Sequence, residues 1–563
     1  MWKLTLLVIV LAACASDPEP GQAGATAPGG KVAGRSGSAG ASGAPATTPD
    51  DPGEPPRVGT ILPPGDPGSV DVTLDVRTDR DARAISPLIY GANSAPELEK
   101  NRFTVVRSGG NRMTAYNWEN NASNAGKDYM FQNDGYISSS NEPAKPILDG
   151  LTSAASAQAA AIVTIPLVDY VSADKNGGGD VRNSGSNYLM TRFKQNKAEK
   201  GSSFADKPDA SDMFVYQDEF VAYLKAHGPK DTQVMFSLDN EPDLWSATHA
   251  EVFPQKVTYA DLWERSQRFA RAIKQAWAEA PVLGPVSYGW NGFLNLQNAT
   301  DASGRDFLNW YLDQAAAAEA DGGKRLIDYL DLHWYPEARG GGTRITETST
   351  APAVVEARVQ APRSLWDASY DEQSWVHDNL GGPIDLIHRM QKKIDAHYPG
   401  TKLAFTEWNY GGGAHISGAL ACADVLGIFG REGVALATYW PLSGNETYAY
   451  AAFRAFRNYD GNGAAFGKQS VNATSSDTVN VTAYASLRGE AGDVVIVIIN
   501  KATAAKNVGL RVSHDKLFKT ATIYQLTADK PELIEQQAQT SMADNAWRLM
   551  LPAQTVSVVA LKK

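Results

Sequence analysis

The chain has 563 residues, more than one ordinary domain holds, and its 43% hydrophobic and 20% charged content is that of a folded globular protein rather than a fibrous or disordered one. The net charge is −11 and no basic run exceeds Lys-Lys, which excludes nucleic acid as an expected partner. Two cysteines, Cys14 and Cys422, are too few for a Cys-rich zinc site.

Residues 1–14 read as a short export signal. Lys3 supplies the positive end, and Leu4 to Ala12 form an apolar stretch too short to span a bilayer permanently. The stretch closes on Leu11-Ala12-Ala13-Cys14, which resembles the lipobox of bacterial lipoproteins and makes Cys14 the expected lipidation site. With Ala15 and Ser16 following and no Asp directly after the cysteine, the expected destination is the outer membrane or cell surface. The other reading is a plain secretory signal with an incidental cysteine. Residues 15–70 are Gly, Ala, Ser and Pro with little else, and are expected to form a disordered tether.

From Val72 the pattern changes. Residues 71–84 carry a lone β-like run, Val72 to Val76, with no helix after it; it is assigned to a sandwich formed further along. Over residues 85–477 short apolar runs alternate with helical stretches. The predicted strands are Ile85–Tyr90, Thr104–Arg107, Ala161–Leu167, Val234–Leu238, Val282–Pro285, Tyr329–Trp334, Leu403–Thr406 and Ala435–Trp440. Helices are predicted at Asp218–His227, Tyr259–Glu279 and Ile384–His397, among others. Eight strand–helix units predict a TIM-like (β/α)8 barrel, and no Gly-rich phosphate loop follows the first strand to favour a doubly wound sheet. Residues 478–563 lose the helical period and read as a β-sandwich of short, β-branched strands.

In such a barrel the chemistry sits where strands end. The fourth strand runs into Asp239-Asn240-Glu241-Pro242, the sixth ends in His333-Trp334-Tyr335, and the seventh runs into Glu407-Trp408. Two carboxylates at two strand ends are what glycosidic cleavage requires, one to protonate the leaving oxygen and one to attack or to position water. A lone Glu after a strand is more often a charge favoured at a helix N-terminus; the pair, with His333 and Tyr335 between them, points to catalysis. Asn240 is placed to hold a sugar hydroxyl beside Glu241. Each of Trp245, Trp334, Trp408 and Trp440 can be core or platform, and at least two are expected to stack on sugar.

These segments resemble glycoside hydrolase family 44. The resemblance rests on Phe236-Ser237-Leu238-Asp239-Asn240-Glu241-Pro242-Asp243-Leu244-Trp245, on Asp331-Leu332-His333-Trp334-Tyr335-Pro336-Glu337 and on Thr406-Glu407-Trp408-Asn409-Tyr410-Gly411-Gly412-Gly413. Ser108-Gly109-Gly110-Asn111 and the run Ala423 to Gly433 extend it, so that it covers about residue 71 to the end. It implies an endo-acting, retaining hydrolase of β-1,4-glucans and xyloglucan, with Glu241 as acid/base and Glu407 as nucleophile. The candidate substrate contacts are Asn111, Asn240, Trp245, His333, Trp334, Tyr335, Trp408 and Trp440. No catalytic cofactor is implied; a structural calcium is, with Glu97, Asp206 and Asp209 as candidate oxygen ligands. Ser108 departs from the pattern, as do Trp334 and Trp408 where Tyr is frequent. The expected partners are the polysaccharide and, through the lipid anchor, the outer membrane; the chain is expected to be monomeric. The competing readings are a retaining hydrolase of xylan or mannan, a tethered glycan-binding lipoprotein without catalysis, and a protein-docking scaffold.

Overall fold

The computed structural model describes residues 59–489 and 492–563. Residues 1–14, with the expected signal and Cys14, lie outside them, as does the tether up to residue 58. Eight parallel strands close a barrel: β1 (Gly91–Asn93), β2 (Val105–Ser108), β3 (Ala160–Ile165), β4 (Val234–Leu238), β5 (Val282–Tyr288), β6 (Tyr329–Trp334), β7 (Lys402–Trp408) and β8 (Leu436–Tyr439). From β2 onward each strand is followed by a helix: α1 (Lys145–Ser156), α2 (Gln217–His227), α3 (Tyr259–Ala276), α4 (Phe307–Gly322), α5 (Leu386–His397), α6 (Ile416–Glu432) and α7 (Thr447–Arg457). The first unit carries only the four-residue helix Leu98–Asn101.

Barrel strands alternate sides, and the interior is layered accordingly. Val105, Ala160, Ile162, Met235, Leu283, Tyr329, Ala404 and Leu436 form one apolar plug. Two residues further along these strands the buried side chains turn mostly polar: Arg107, Thr164, Ser237, Asp331, Thr406 and Thr438. The lower barrel is thus an oily stopper and the C-terminal end a polar floor for the site.

The first strand lies later than predicted. Ile85–Tyr90 is not a strand: Ser86 caps a 3-10 turn at Pro87–Ile89, and its hydroxyl accepts from the Leu88 amide. Proline, with its fixed φ, starts that turn readily and offers no amide to a ladder. The barrel strand is the following Gly91–Asn93, paired to β8 and β2.

The sandwich holds β9 (Gln469–Ser475), β10 (Val481–Arg488), β11 (Asp493–Asn500), β12 (Lys506–Ser513), β13 (Thr520–Thr527), β14 (Lys530–Glu535), β15 (Ala546–Leu551) and β16 (Thr555–Lys562). As expected, the early strand Val72–Arg77 joins it, parallel to β12 and antiparallel to β9. Two boundaries move. The sandwich begins at Gln469 rather than 478, because β9 pairs with β10 at one end and with Val72–Arg77 at the other, tying the layers together. The end of the tether, residues 59–70, is seated on the sandwich: the Leu62 amide donates to the His514 carbonyl at 2.9 Å and Arg548 to the Pro67 carbonyl at 3.2 Å.

Sandwich and barrel meet through α6. Asp424 on that helix is 1% exposed and accepts from Thr482 and Tyr484 of β10, each at 2.7 Å. Its other oxygen pairs with the ammonium of Lys501, also buried, at 2.6 Å. Replacing Asp424 by Ala strands a buried cation, so urea unfolding should show a loss of about 3–5 kcal/mol. A loss below about 1 kcal/mol would mean that apolar packing alone carries this junction.

Candidate active site

Glu241 and Asn240 follow β4, and the backbone there turns sharply. Asp239 and Glu241 both have left-handed φ, 64° and 44°, a conformation that non-glycine residues hold at a cost and that recurs at functional sites. Asp239 is buried and anchors the turn, accepting from the Leu167 and Asn240 amides, the Thr114 hydroxyl and the Trp245 indole.

Glu407 owes its direction to a bulge. Leu332 pairs with Phe405 and His333 with Glu407, leaving Thr406 as the extra residue of β7. Ala404 faces the interior plug, whereas Phe405 stacks on Phe429 of α6 outside. The extra residue lets Thr406 and Glu407 both enter the interior while Trp408 returns to the outside, edge-on to Phe429.

The two carboxylates and His333 converge, one ligand atom from each lying within 4.8 Å of the others. Glu407 Oε1 pairs with Arg107 at 2.7 Å, and Glu407 Oε2 accepts the Tyr335 hydroxyl at 2.7 Å. Arg107 also donates to Asn93 at 3.0 Å and to Asn240 at 2.9 Å. Glu241 pairs with no lysine or arginine among the described residues; its Oε1 meets His333 Nδ1 at 2.8 Å. Burial, with Glu407 and Asp243 nearby, pushes Glu241 well above the usual carboxylate range. Burial raises Glu407 too, but Arg107 and the Tyr335 hydroxyl pull it back. His333 is driven well below its usual value by burial and by Arg107, so its ring is neutral. Burial also raises Asp331, to about 7, against Arg107 and two bonds from Thr406.

Residues 122–338 match the family model described as glycoside hydrolase family 44. The chain is 38% identical over 512 residues to endoglucanase A of Paenibacillus lautus, an overlap of 87% of this chain and 73% of that protein. This chain belongs to glycoside hydrolase family 44. A family 44 xyloglucanase from Paenibacillus polymyxa, solved with xyloglucan, superposes with a TM-score of 0.83 at 36% identity, covering 87% of this chain and 99% of its own. A family 44 endoglucanase from Clostridium thermocellum gives 0.83 and 36%, covering 88% and 100%.

Against this family 44 frame the expected site residues divide. Glu241, Glu407, Asn240, His333 and Tyr335 come together, and Asn111 joins them: its carbonyl accepts from the Asn240 amide at 3.4 Å while its own amide donates to Asp128 at 2.9 Å. Trp440 is half-buried at the end of β8, its ring so close over Gly110 that a Cβ there would lie 2.6 Å away. The other three tryptophans are corrected to core. Trp245, Trp334 and Trp408 are 0%, 2% and 1% exposed. Trp245 packs edge-on to Phe253, Trp334 stacks on Phe293, and Trp408 abuts Tyr439, leaving no face for a sugar. Among the described residues no group of His, Cys or acidic side chains gathers the candidate calcium ligands Glu97, Asp206 and Asp209. Glu97 is exposed and bonded to Lys100, and Asp209 to Ser211. Cys422 is buried, and burial holds its thiol well above the usual value.

Arg107, Asn93, Asp331, Thr406 and Tyr288 were not expected. Tyr288 pairs with Tyr335 at 6.1 Å between centroids. An arginine two residues beyond Val105 on a barrel strand was the available signal for Arg107, since a cation facing inward needs an anion there.

A raised carboxyl is stabilising in acid and loses that contribution as pH climbs through its folded value. Glu241→Gln, which mimics the protonated acid, should therefore match wild type near pH ~4, about the unfolded Glu value, and exceed it in Tm increasingly toward pH ~8. Equal Tm values at both pH values would mean that Glu241 is not held protonated.

Proposed function

We propose that the protein is an endo-acting, retaining β-1,4-glucanase that accepts xyloglucan, with Glu407 as nucleophile and Glu241 as acid and then base. The observation that carries this is the unequal treatment of two close carboxylates: Arg107 and Tyr335 serve Glu407 as an anion, while Glu241 faces a neutral histidine and other carboxylates. An acid/base pair is built by pushing two titration values apart in this way. One oxygen of each carboxylate lies within 4.8 Å of the other, which supports direct attack, for which carboxyl groups lie ~5–5.5 Å apart, over inversion, for which they lie ~6.5–9.5 Å apart.

In the first step Glu241 protonates the glycosidic oxygen as Glu407 attacks the anomeric carbon, expelling the chain fragment and forming a glycosyl ester. Glu241, now a carboxylate, removes a proton from water, which displaces Glu407. The endoglucanase and xyloglucanase relatives support a β-1,4-glucan backbone as substrate. Reducing ends released from xyloglucan, carboxymethyl cellulose, xylan and mannan test the substrate class. Release from the two glucans is expected. Binding without release would favour the glycan-binding reading, and release from xylan or mannan alone would shift the backbone assignment.

Export and lipidation at Cys14 are proposed on the Lys3, apolar and Leu11-Ala12-Ala13-Cys14 pattern. Labelled fatty acid should enter the wild-type protein and not Cys14→Ser. A monomeric state is proposed alongside, tested by light scattering of the soluble body.

A further inference from the structure

The proton on Glu241 is traceable through four side chains. Thr406 is held on both sides: its amide donates to Asp331 Oδ1 at 3.1 Å, and its carbonyl accepts from Asn93 at 3.0 Å and from the Thr438 hydroxyl. Its hydroxyl donates to Asp331 Oδ2 at 2.8 Å. A hydroxyl has one proton to give. Because it goes to Asp331, the Thr406 oxygen meets His333 Nε2, 3.1 Å away, as an acceptor. In a neutral ring one nitrogen is protonated and the other bare, so with Nε2–H toward Thr406 the bare Nδ1 faces Glu241 Oε1 at 2.8 Å. Two acceptors at that distance need a proton between them, and only Glu241 can carry it.

We propose that Asp331 and Thr406 are positioning residues that fix His333 as its Nε2–H tautomer and thereby keep the acid proton on Glu241. The second half of this statement rests on the assignment of Glu241 as the acid. His333 and Asp331 stand two apart on β6 and face the same interior, and the β7 bulge presents Thr406 to both, so the path is part of the barrel floor. The charged groups acting on Asp331 are Arg107, which favours its carboxylate, and Glu407, which opposes it. The buried neutral state of His333 agrees with the assignment.

Asp331→Asn reverses the chain of donors. The Asn amide donates to Thr406, Thr406 then donates to a bare Nε2, and Nδ1–H points at Glu241, favouring its carboxylate. The test combines a spectrum with a leaving-group comparison. In ¹⁵N-histidine NMR at about pH 7.5, on the alkaline side of the value to which Asp331 is raised, wild-type His333 should show a protonated Nε2 and Asp331→Asn a protonated Nδ1. Turnover of xyloglucan should fall ~10²-fold or more in Asp331→Asn, within the range general acids contribute, while a 2,4-dinitrophenyl cellotrioside, whose leaving group needs no proton, should lose less than about tenfold. Thr406→Ser should keep the Nε2–H signal and Thr406→Val should lose it, which preserves the test if Asp331→Asn folds poorly. A folded Asp331→Asn with the wild-type tautomer, or a wild type with protonated Nδ1, overturns the proposal. If the tautomer switches but Glu241→Ala slows glycosyl-enzyme formation equally with both leaving groups, the acid assignment fails and the second half of the proposal falls with it.

Discussion

Glu407→Ala should abolish release of reducing ends from β-1,4-glucans, with kcat falling on the order of 10⁴- to 10⁶-fold, as when other covalent nucleophiles are removed. In the proposed mechanism Glu241 is engaged with the leaving oxygen and does not replace Glu407. The substitution also strands Arg107, whose side chain is fully buried and whose one ion pair among the described residues is with Glu407. A small anion entering the vacated space restores both functions. Azide should therefore raise the Tm of the variant by pairing with Arg107, and with an activated aryl glycoside it should yield the α-glycosyl azide. A β-azide product would place the nucleophile on the other face.

Glu241→Ala should produce the complementary pattern. Turnover of polysaccharide should drop ~10²- to 10⁴-fold, the contribution of a general acid. An aryl glycoside with an acidic phenol should still form the glycosyl-enzyme quickly, because its leaving group departs as the anion. Hydrolysis of that ester then lacks its base, so a burst of phenol should precede slow turnover, and azide should accelerate the second step to give the β-glycosyl azide. Equal losses in the rate of glycosyl-enzyme formation from activated and unactivated substrates would remove Glu241 from the acid role. The two variants thus differ in the hand of the azide product, which a merely structural loss of activity would not produce.

The barrel was legible because its strands are short, apolar and separated by helices long enough to show a 3.6-residue period, and Val234–Leu238 and Tyr329–Trp334 fall where the sequence places them. Ile85–Tyr90 misled because three apolar residues around Pro87 look like a strand, whereas the true one, Gly91-Ala92-Asn93, has almost no side chain to signal it. The strand β9 escaped for a similar reason: Gln-Ser-Val-Asn-Ala-Thr-Ser lacks an apolar run, and its place is set by two partners distant in sequence.

Within the site, Glu241 and Glu407 could be read because strand ends in this fold collect catalytic groups. The facing of the residues beside them could not. Trp408 would point inward if β7 alternated strictly, and only the extra residue at Thr406 sends it to the core and Glu407 to the cleft. Arg107 is separated from Glu407 by 300 positions, so their pairing exists only once the barrel closes. The relay from Asp331 to His333 depends on the same bulge, which is a property of the β6–β7 register rather than of any local sequence pattern.

The most direct test of the double-displacement account is the configuration of the first product, followed by proton NMR in the minutes after wild-type enzyme meets a soluble cello-oligosaccharide. Signal from the β-anomer should appear first, with the α-anomer growing later by mutarotation. Early appearance of the α-anomer would contradict the assignment of Glu407 as nucleophile and require a water between the two carboxylates instead.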